Sequence, residues 1–242
     1  MKRIIKILIN AVLTFVLIFS CISIYSKLSE YKKADQIYNN IRESIKNENI
    51  KSENKHQELY NQNQDYRFWI KVNNTNIDYP VLQGSDNNFY LTHDFYKNYL
   101  ASGSIFMDYR NNFEIDKSVI VYGHHMRNKT MFGELANFKN ESFFKENNLV
   151  EIEYKGEIYT YEVFSVYIAD LDNKDYLKTS FNADDDFKEY LNYITKRSIY
   201  KSNINVDISD KIVTLYTCSY EFKNARTIVH AKLISQKYCN KK

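Results

Sequence analysis

Seven runs rich in Tyr, Ile, Val and Phe, separated by polar turns, limit how this chain can fold: RFWIKV, IDYPVLQ, SIFMDY, SVIVYGHH, LVEIEYKGEIYTYEVFSVYIAD, KIVTLYTC and RTIVHAKLI. β-Branched and aromatic residues at this density fit a pleated, half-buried surface. In the longest run, alternating segments flank Lys155-Gly156, which predicts a hairpin. One long helical window interrupts the strands at about residues 184–197, DDDFKEYLNYITKR, with acids in its first turn and bases in its last, as the helix dipole favours. Many short strands with one inserted helix predict a mainly β chain closed into a barrel, the helix preceding the cysteine strand KIVTLYTC, rather than an alternating α/β sheet.

Residues 7–25, ILINAVLTFVLIFSCISIY, form an apolar run without a charge. At ~1.5 Å per residue this run rises about 29 Å, close to the ~30 Å hydrocarbon core of a bilayer. No small-x-small cleavage site follows it, so residues 1–26 are expected to be an uncleaved membrane anchor. Lys2, Arg3 and Lys6 orient the N-terminus to the cytoplasm and everything after residue 26 to the outside. Leu28, Tyr31, Ala34, Ile37, Ile41 and Ile45 then recur at helical spacing. The segment 27–64 therefore reads as an amphipathic helix followed by a polar stretch, either linker or solvated helix. The main folded domain is expected over residues 65–242.

The same three cations account for the net charge of +3, from 33 Lys+Arg against 30 Asp+Glu. Beyond them the charge is balanced and no basic cluster carries interleaved aromatics, so nucleic acid is not an expected partner. No Walker loop, dinucleotide fingerprint, calcium loop or HExxH pair occurs, so neither cofactor nor metal is expected. Of the cysteines beyond the anchor, Cys239 sits in the polar tail QKYCNKK, which leaves Cys218 as the expected free thiol rather than a disulfide partner.

A strand that stops at Cys218 presents its thiol at a barrel rim, and a second strand beginning at Arg226 can return to that rim through a short loop. A thiol is nucleophilic as thiolate, a form that neighbouring Arg or protonated His favours. Attack on an amide further needs a proton donor for the leaving amine and a cation or amide donors for the oxyanion. His124 and His125, after SVIVY and Gly123, bring imidazole to another strand end. The histidines precede the cysteine, and the cysteine ends a strand, unlike the papain arrangement. The competing reading is an anchored, non-catalytic module whose tyrosine-rich surface binds wall polymer or peptide.

These segments resemble the class B sortases. TLYTC followed by SYEF and Arg226, with VYGHHM, YPVLQGSDNNFYL, MFGEL and the helix-bearing insertion, carries the resemblance across about residues 66–236. It implies an eight-stranded β-barrel over the catalytic domain 65–242 and a cysteine transpeptidase of the thiol-protease type. Such an enzyme cleaves a C-terminal sorting signal, Asn-Pro-x-Thr or related, after threonine. It forms a thioacyl-enzyme and passes the acyl group to an amine of a peptidoglycan precursor or cross-bridge. The implied clients are surface proteins and the implied location is the cell membrane of a Gram-positive bacterium. By the same resemblance Cys218 is the nucleophile, His124 rather than His125 the acid/base, and Arg226 the cation beside the oxyanion. Asn87 and Leu91 are expected to line the peptide groove, with Tyr176, Leu177 and Ser219 as further contacts.

Overall fold

Residues 2–46, 52–171 and 177–238 are described by the structure, a computed structural model, so Tyr176 and Cys239 lie outside the described residues. Two compact units divide between Ile41 and Arg42. The first lies within helix α1, Lys2–Lys46. The most apolar 18-residue window of α1 has a mean hydropathy of 2.6 and none of it is buried. Its large apolar side chains from Ile4 to Ile24 are half or more exposed, and the helix is long and apolar enough to cross a membrane.

The second unit begins at Arg42. Helix α2, Ser52–Gln62, occupies the polar stretch whose sequence left linker and helix both open. The strands are β1 Tyr66–Val72, β2 Asp78–Leu82, β3 Ile105–Met107, β4 Ser118–Tyr122, β5 Leu149–Tyr154, β6 Glu157–Asp170, β7 Ile212–Cys218 and β8 Ala225–Tyr238. Helix α3 spans Glu141–Glu146 and α4 spans Asp184–Lys196. Among the described residues the strands close in the order β1-β2-β3-β4-β7-β8-β6-β5, the mainly β barrel that the sequence predicts. The β2–β3 and β4–β7 pairs are parallel and the rest antiparallel.

The β5–β6 hairpin turns through Lys155 at φ 49° and Gly156 at φ 79°. Two positive φ values in a two-residue loop match the right-handed twist of the flanking strands, and glycine accepts the second without strain. Along β7, Ile212 and Tyr216 pack on the outer face against the α4 layer. Val213, Leu215 and Thr217 alternate with them and are fully buried toward the barrel interior.

Helix α4 buries Phe187, Tyr190, Leu191 and Ile194, three or four residues apart on one face, against Phe164, Tyr167, Ile212 and Ile228. Each such side chain contributes about 1.5–3 kcal/mol when fully buried. Ala183 provides no side-chain cap, and Asp184, Asp185 and Asp186 give the first turn the negative charge its dipole favours. Lys117 on the barrel reaches Asp184 at 2.8 Å and ties the helix start to β4. Beneath the helix His230 is fully buried, its Nδ1 2.9 Å from the Thr214 hydroxyl and its Nε2 3.0 Å from the Tyr167 hydroxyl. Desolvation pushes its pKa down to about 3, so it sits there neutral.

Candidate active site

The rim that carries the candidate residues is set by the parallel β4–β7 ladder, which runs from Ser118↔Ile212 to Tyr122↔Tyr216. It continues past the end of β4: the Gly123 N–H donates to the Tyr216 carbonyl at 3.1 Å, and the Thr217 hydroxyl donates to the Gly123 carbonyl at 2.7 Å. Carried on by the same offset, His124 stands level with Cys218. A Cβ at Gly123 would lie 2.8 Å from the Phe132 ring and also strike Ile105, so only glycine lets this corner close against β3.

His124 is half-buried and its Nε2 lies 2.7 Å from the carbonyl oxygen of Leu91, in the short 3-10 turn Phe89–Leu91. A carbonyl only accepts, so Nε2 carries the proton and Nδ1 is left as the basic nitrogen of the neutral ring. Gly103 holds the Leu91 backbone in place: at φ +56°, a Cβ there would lie 2.6 Å from the Leu91 carbonyl oxygen. His125 does something different. Its Nδ1 is 3.0 Å from the carbonyl oxygen of Cys218, and its ring packs edge-on against Tyr220 with centroids 5.0 Å apart. Desolvation, with the Lys139 ammonium adding to it, holds the His125 pKa below its ordinary value. It is a neutral donor that fixes the cysteine backbone.

Cys218 is a half-buried free thiol at the end of β7. It pairs with Arg226 across the β7–β8 ladder, and facing partners in an antiparallel pair share one side of the sheet. The turn that makes this possible is tight: Ser219 N–H donates to the Ala225 carbonyl at 2.9 Å, and Asn224 takes φ 66°, a left-handed conformation that Asn tolerates better than most residues. The Arg226 guanidinium donates from Nε to the Tyr216 hydroxyl at 2.8 Å and from Nη1 to the Ala225 carbonyl at 2.9 Å.

The remaining predicted contacts fall into two kinds. Leu91 and Leu177 are half-buried, and Leu177 packs against the α4 layer. Asn87 and Ser219 spend their polar atoms within the protein. The Asn87 amide donates to Asp108 at 2.9 Å and accepts from the Tyr109 N–H at 3.0 Å. The Ser219 hydroxyl accepts from Lys139 at 2.8 Å and from Thr227 at 3.0 Å and donates to Glu221, which uses its full hydrogen-bonding capacity. Although burial opposes it, the hydrogen bonds from Lys139 and Ser219 hold the Glu221 carboxyl down to about 2. Sequence reasoning passed over Tyr216 and Lys139. Tyr216 carried a usable signal, since it stands two residues before Cys218 and shares its face of the strand.

The sortase domain model matches residues 70–234. Sortase B of Staphylococcus aureus is 37% identical over 175 residues, which cover 71% of this chain and 71% of that protein. The X-ray structure of Clostridium perfringens sortase B is 48% identical, covers 74% of this chain and 99% of its own, and superposes with a TM-score of 0.73. A Staphylococcus aureus sortase B–substrate complex is 31% identical, covers 87% and 99% of the two chains, and has a TM-score of 0.76. With barrel, family match and relatives in agreement, the chain belongs to the sortase family and, within it, to the class B transpeptidases.

Proposed function

We propose that this chain cleaves surface proteins at a C-terminal sorting signal of the Asn-Pro-x-Thr type, after the threonine, and transfers them to an amine of a peptidoglycan precursor or cross-bridge. The supporting observation is the convergence of Cys218, ending β7, with Arg226 facing it on β8 and His124 level with it beyond β4. A peptide partner is in keeping with the substrate complex of the Staphylococcus aureus relative.

In the proposed chemistry the Cys218 thiolate adds to the threonine carbonyl carbon, and the Arg226 guanidinium stabilises the negative oxygen. The C–N bond breaks as protonated His124 gives the Nδ1 proton to the departing amine, leaving a thioester on Cys218. The incoming amine attacks that thioester and loses a proton to His124 Nδ1. Rupture of the C–S bond then restores the thiolate and leaves a new amide. Leu91, Leu177 and Tyr176 are proposed to line the path of the peptide, with Asn87 and Ser219 shaping its two sides. Residues 1–26 act as the anchor, with Lys2, Arg3 and Lys6 on the cytoplasmic side, residues 27–64 as the connection and residues 65–242 as the external catalytic domain.

The test is to incubate the full chain in detergent micelles, as wild type and as Cys218→Ala, with a quenched-fluorescent peptide containing Asn-Pro-Gln-Thr, and to weigh the intact protein. Cleavage after threonine with an acyl adduct on the wild type alone is the expected result. Absence of both, across a panel of related peptides, would overturn the proposed signal and thioacyl route in favour of peptide binding without cleavage.

A further inference from the structure

We infer that Tyr216 is a positioning residue that aims the Arg226 guanidinium at the reacting carbonyl; the inference rests on the proposed role of Arg226. Arginine ends a long, rotatable side chain, and an oxyanion is served only by a fork already held in place. Three features hold it here. Nε donates to the Tyr216 hydroxyl at 2.8 Å, Nη1 donates to the Ala225 carbonyl at 2.9 Å, and the guanidinium carbon lies 5.9 Å from the centre of the Tyr216 ring. Nη2 has no hydrogen-bond partner among the described residues, which leaves it as the donor for an incoming oxygen.

The geometry follows from the strands. Tyr216 and Cys218 stand on one face of β7, and Arg226 pairs with Cys218 on β8, so all three side chains leave the sheet on the same side. The Tyr216 hydroxyl therefore meets the Nε edge of the guanidinium on the face of the sheet that also carries the thiol.

Tyr216 is in turn immobilised. Its ring packs edge-on against Tyr122 with centroids 5.1 Å apart, and its other side meets the α4 layer. The Tyr122 hydroxyl donates to Asp108 at 2.8 Å. That carboxylate is fully buried and receives the Arg110 fork at 2.9 and 2.8 Å, together with the Asn87 amide. Though burial opposes it, these donors hold the Asp108 pKa below the usual carboxylate range and keep the anchor charged. The guanidinium is thus referred back, through two tyrosines packed edge to face, to the buried Asp108 carboxylate just past β3.

The experiment compares wild type, Tyr216→Phe, Arg226→Lys and the double variant on the Asn-Pro-Gln-Thr peptide, with thermal midpoints measured alongside. Phenylalanine keeps the ring packing and removes only the hydroxyl. A positioning role predicts that Tyr216→Phe lowers kcat about tenfold, leaves KM within twofold and the midpoint unchanged, and adds no further loss to Arg226→Lys. Wild-type kcat in Tyr216→Phe, or losses that multiply in the double variant, would overturn the inference while leaving the role of Arg226 intact. Wild-type turnover in Arg226→Lys would overturn both. If the Phe variant were recovered with a lowered midpoint, hydrogen–deuterium exchange of the β7 amides separates general loosening, which would overturn the inference, from an intact ladder with low kcat, which would support it.

Discussion

The Nε2 atom of His124 donates to the Leu91 carbonyl oxygen across 2.7 Å, and that one bond decides which nitrogen of the ring is left without a proton. Gly103 packs directly on the Leu91 backbone at a φ of +56°. Gly103→Ala therefore strains its own backbone and pushes the Leu91 carbonyl away from the imidazole. We expect kcat to fall at least tenfold and the thermal midpoint to drop by several degrees. Nitrogen NMR of the ring should register a mixture of tautomers in place of the Nε2–H form; an unchanged tautomer and turnover would separate Leu91 from the mechanism.

Arg226→Lys keeps a positive charge beside Cys218 but replaces a planar fork with a single ammonium. Its three donors sit on one tetrahedral nitrogen and do not reproduce the spread with which Nε meets Tyr216, Nη1 meets Ala225 and Nη2 is left over. Peptide turnover should fall by about a hundredfold, in the range seen for loss of one oxyanion donor. Near-normal turnover would remove Arg226 from the reaction.

Lys139, Glu221 and Ser219 brace the turn between β7 and β8. The Glu221 carboxyl is held down to about 2 in the folded protein, below its unfolded value, so its contribution to stability is present above about pH 4.5 and is lost as pH falls toward 2. Glu221→Gln should lower the thermal midpoint at neutral pH, and the gap from wild type should close across that acid range. A gap that persists unchanged at low pH would assign the effect to packing instead of charge.

His230 works in the same acid direction from a different cause. It is neutral beneath α4 with a pKa pushed down to about 3, whereas the unfolded chain protonates it below about 6.5. Between those values the unfolded state binds the extra proton, and stability declines by roughly 1.4 kcal/mol per pH unit. His230→Gln, which offers a donor and an acceptor to Thr214 and Tyr167, should flatten the dependence of the thermal midpoint on pH over that window. Parallel curves for the two proteins would contradict the assignment.

Strand positions were legible because each run alternates over a few residues and stops at a polar turn; β7 and β8 fall where KIVTLYTC and RTIVHAKLI predict them. Helix α2 was ambiguous because only Leu59 and Tyr60 interrupt its polar sequence, and α3 is too short to show a period. The facing of Cys218 and Arg226 could be foreseen from a strand, a short loop and a returning strand. The Leu91 carbonyl could not, because a backbone oxygen leaves no mark in a sequence. Nor could the commitment of Asn87 and Ser219 to internal partners, which depends on Asp108, Lys139 and Thr227 arriving from other elements.

Parallel pairing of β4 with β7 gives the spacing of the proposed catalytic pair an unusual source. The thiol and the imidazole are aligned by amide ladders and by one threonine hydroxyl, while β5, β6 and α4 lie between them along the chain. Their separation is therefore indifferent to the path the intervening chain takes. A protein severed between β6 and α4 is expected to regain this alignment once its two fragments reassemble the barrel, because the bonds that set it run between strands and not along the chain.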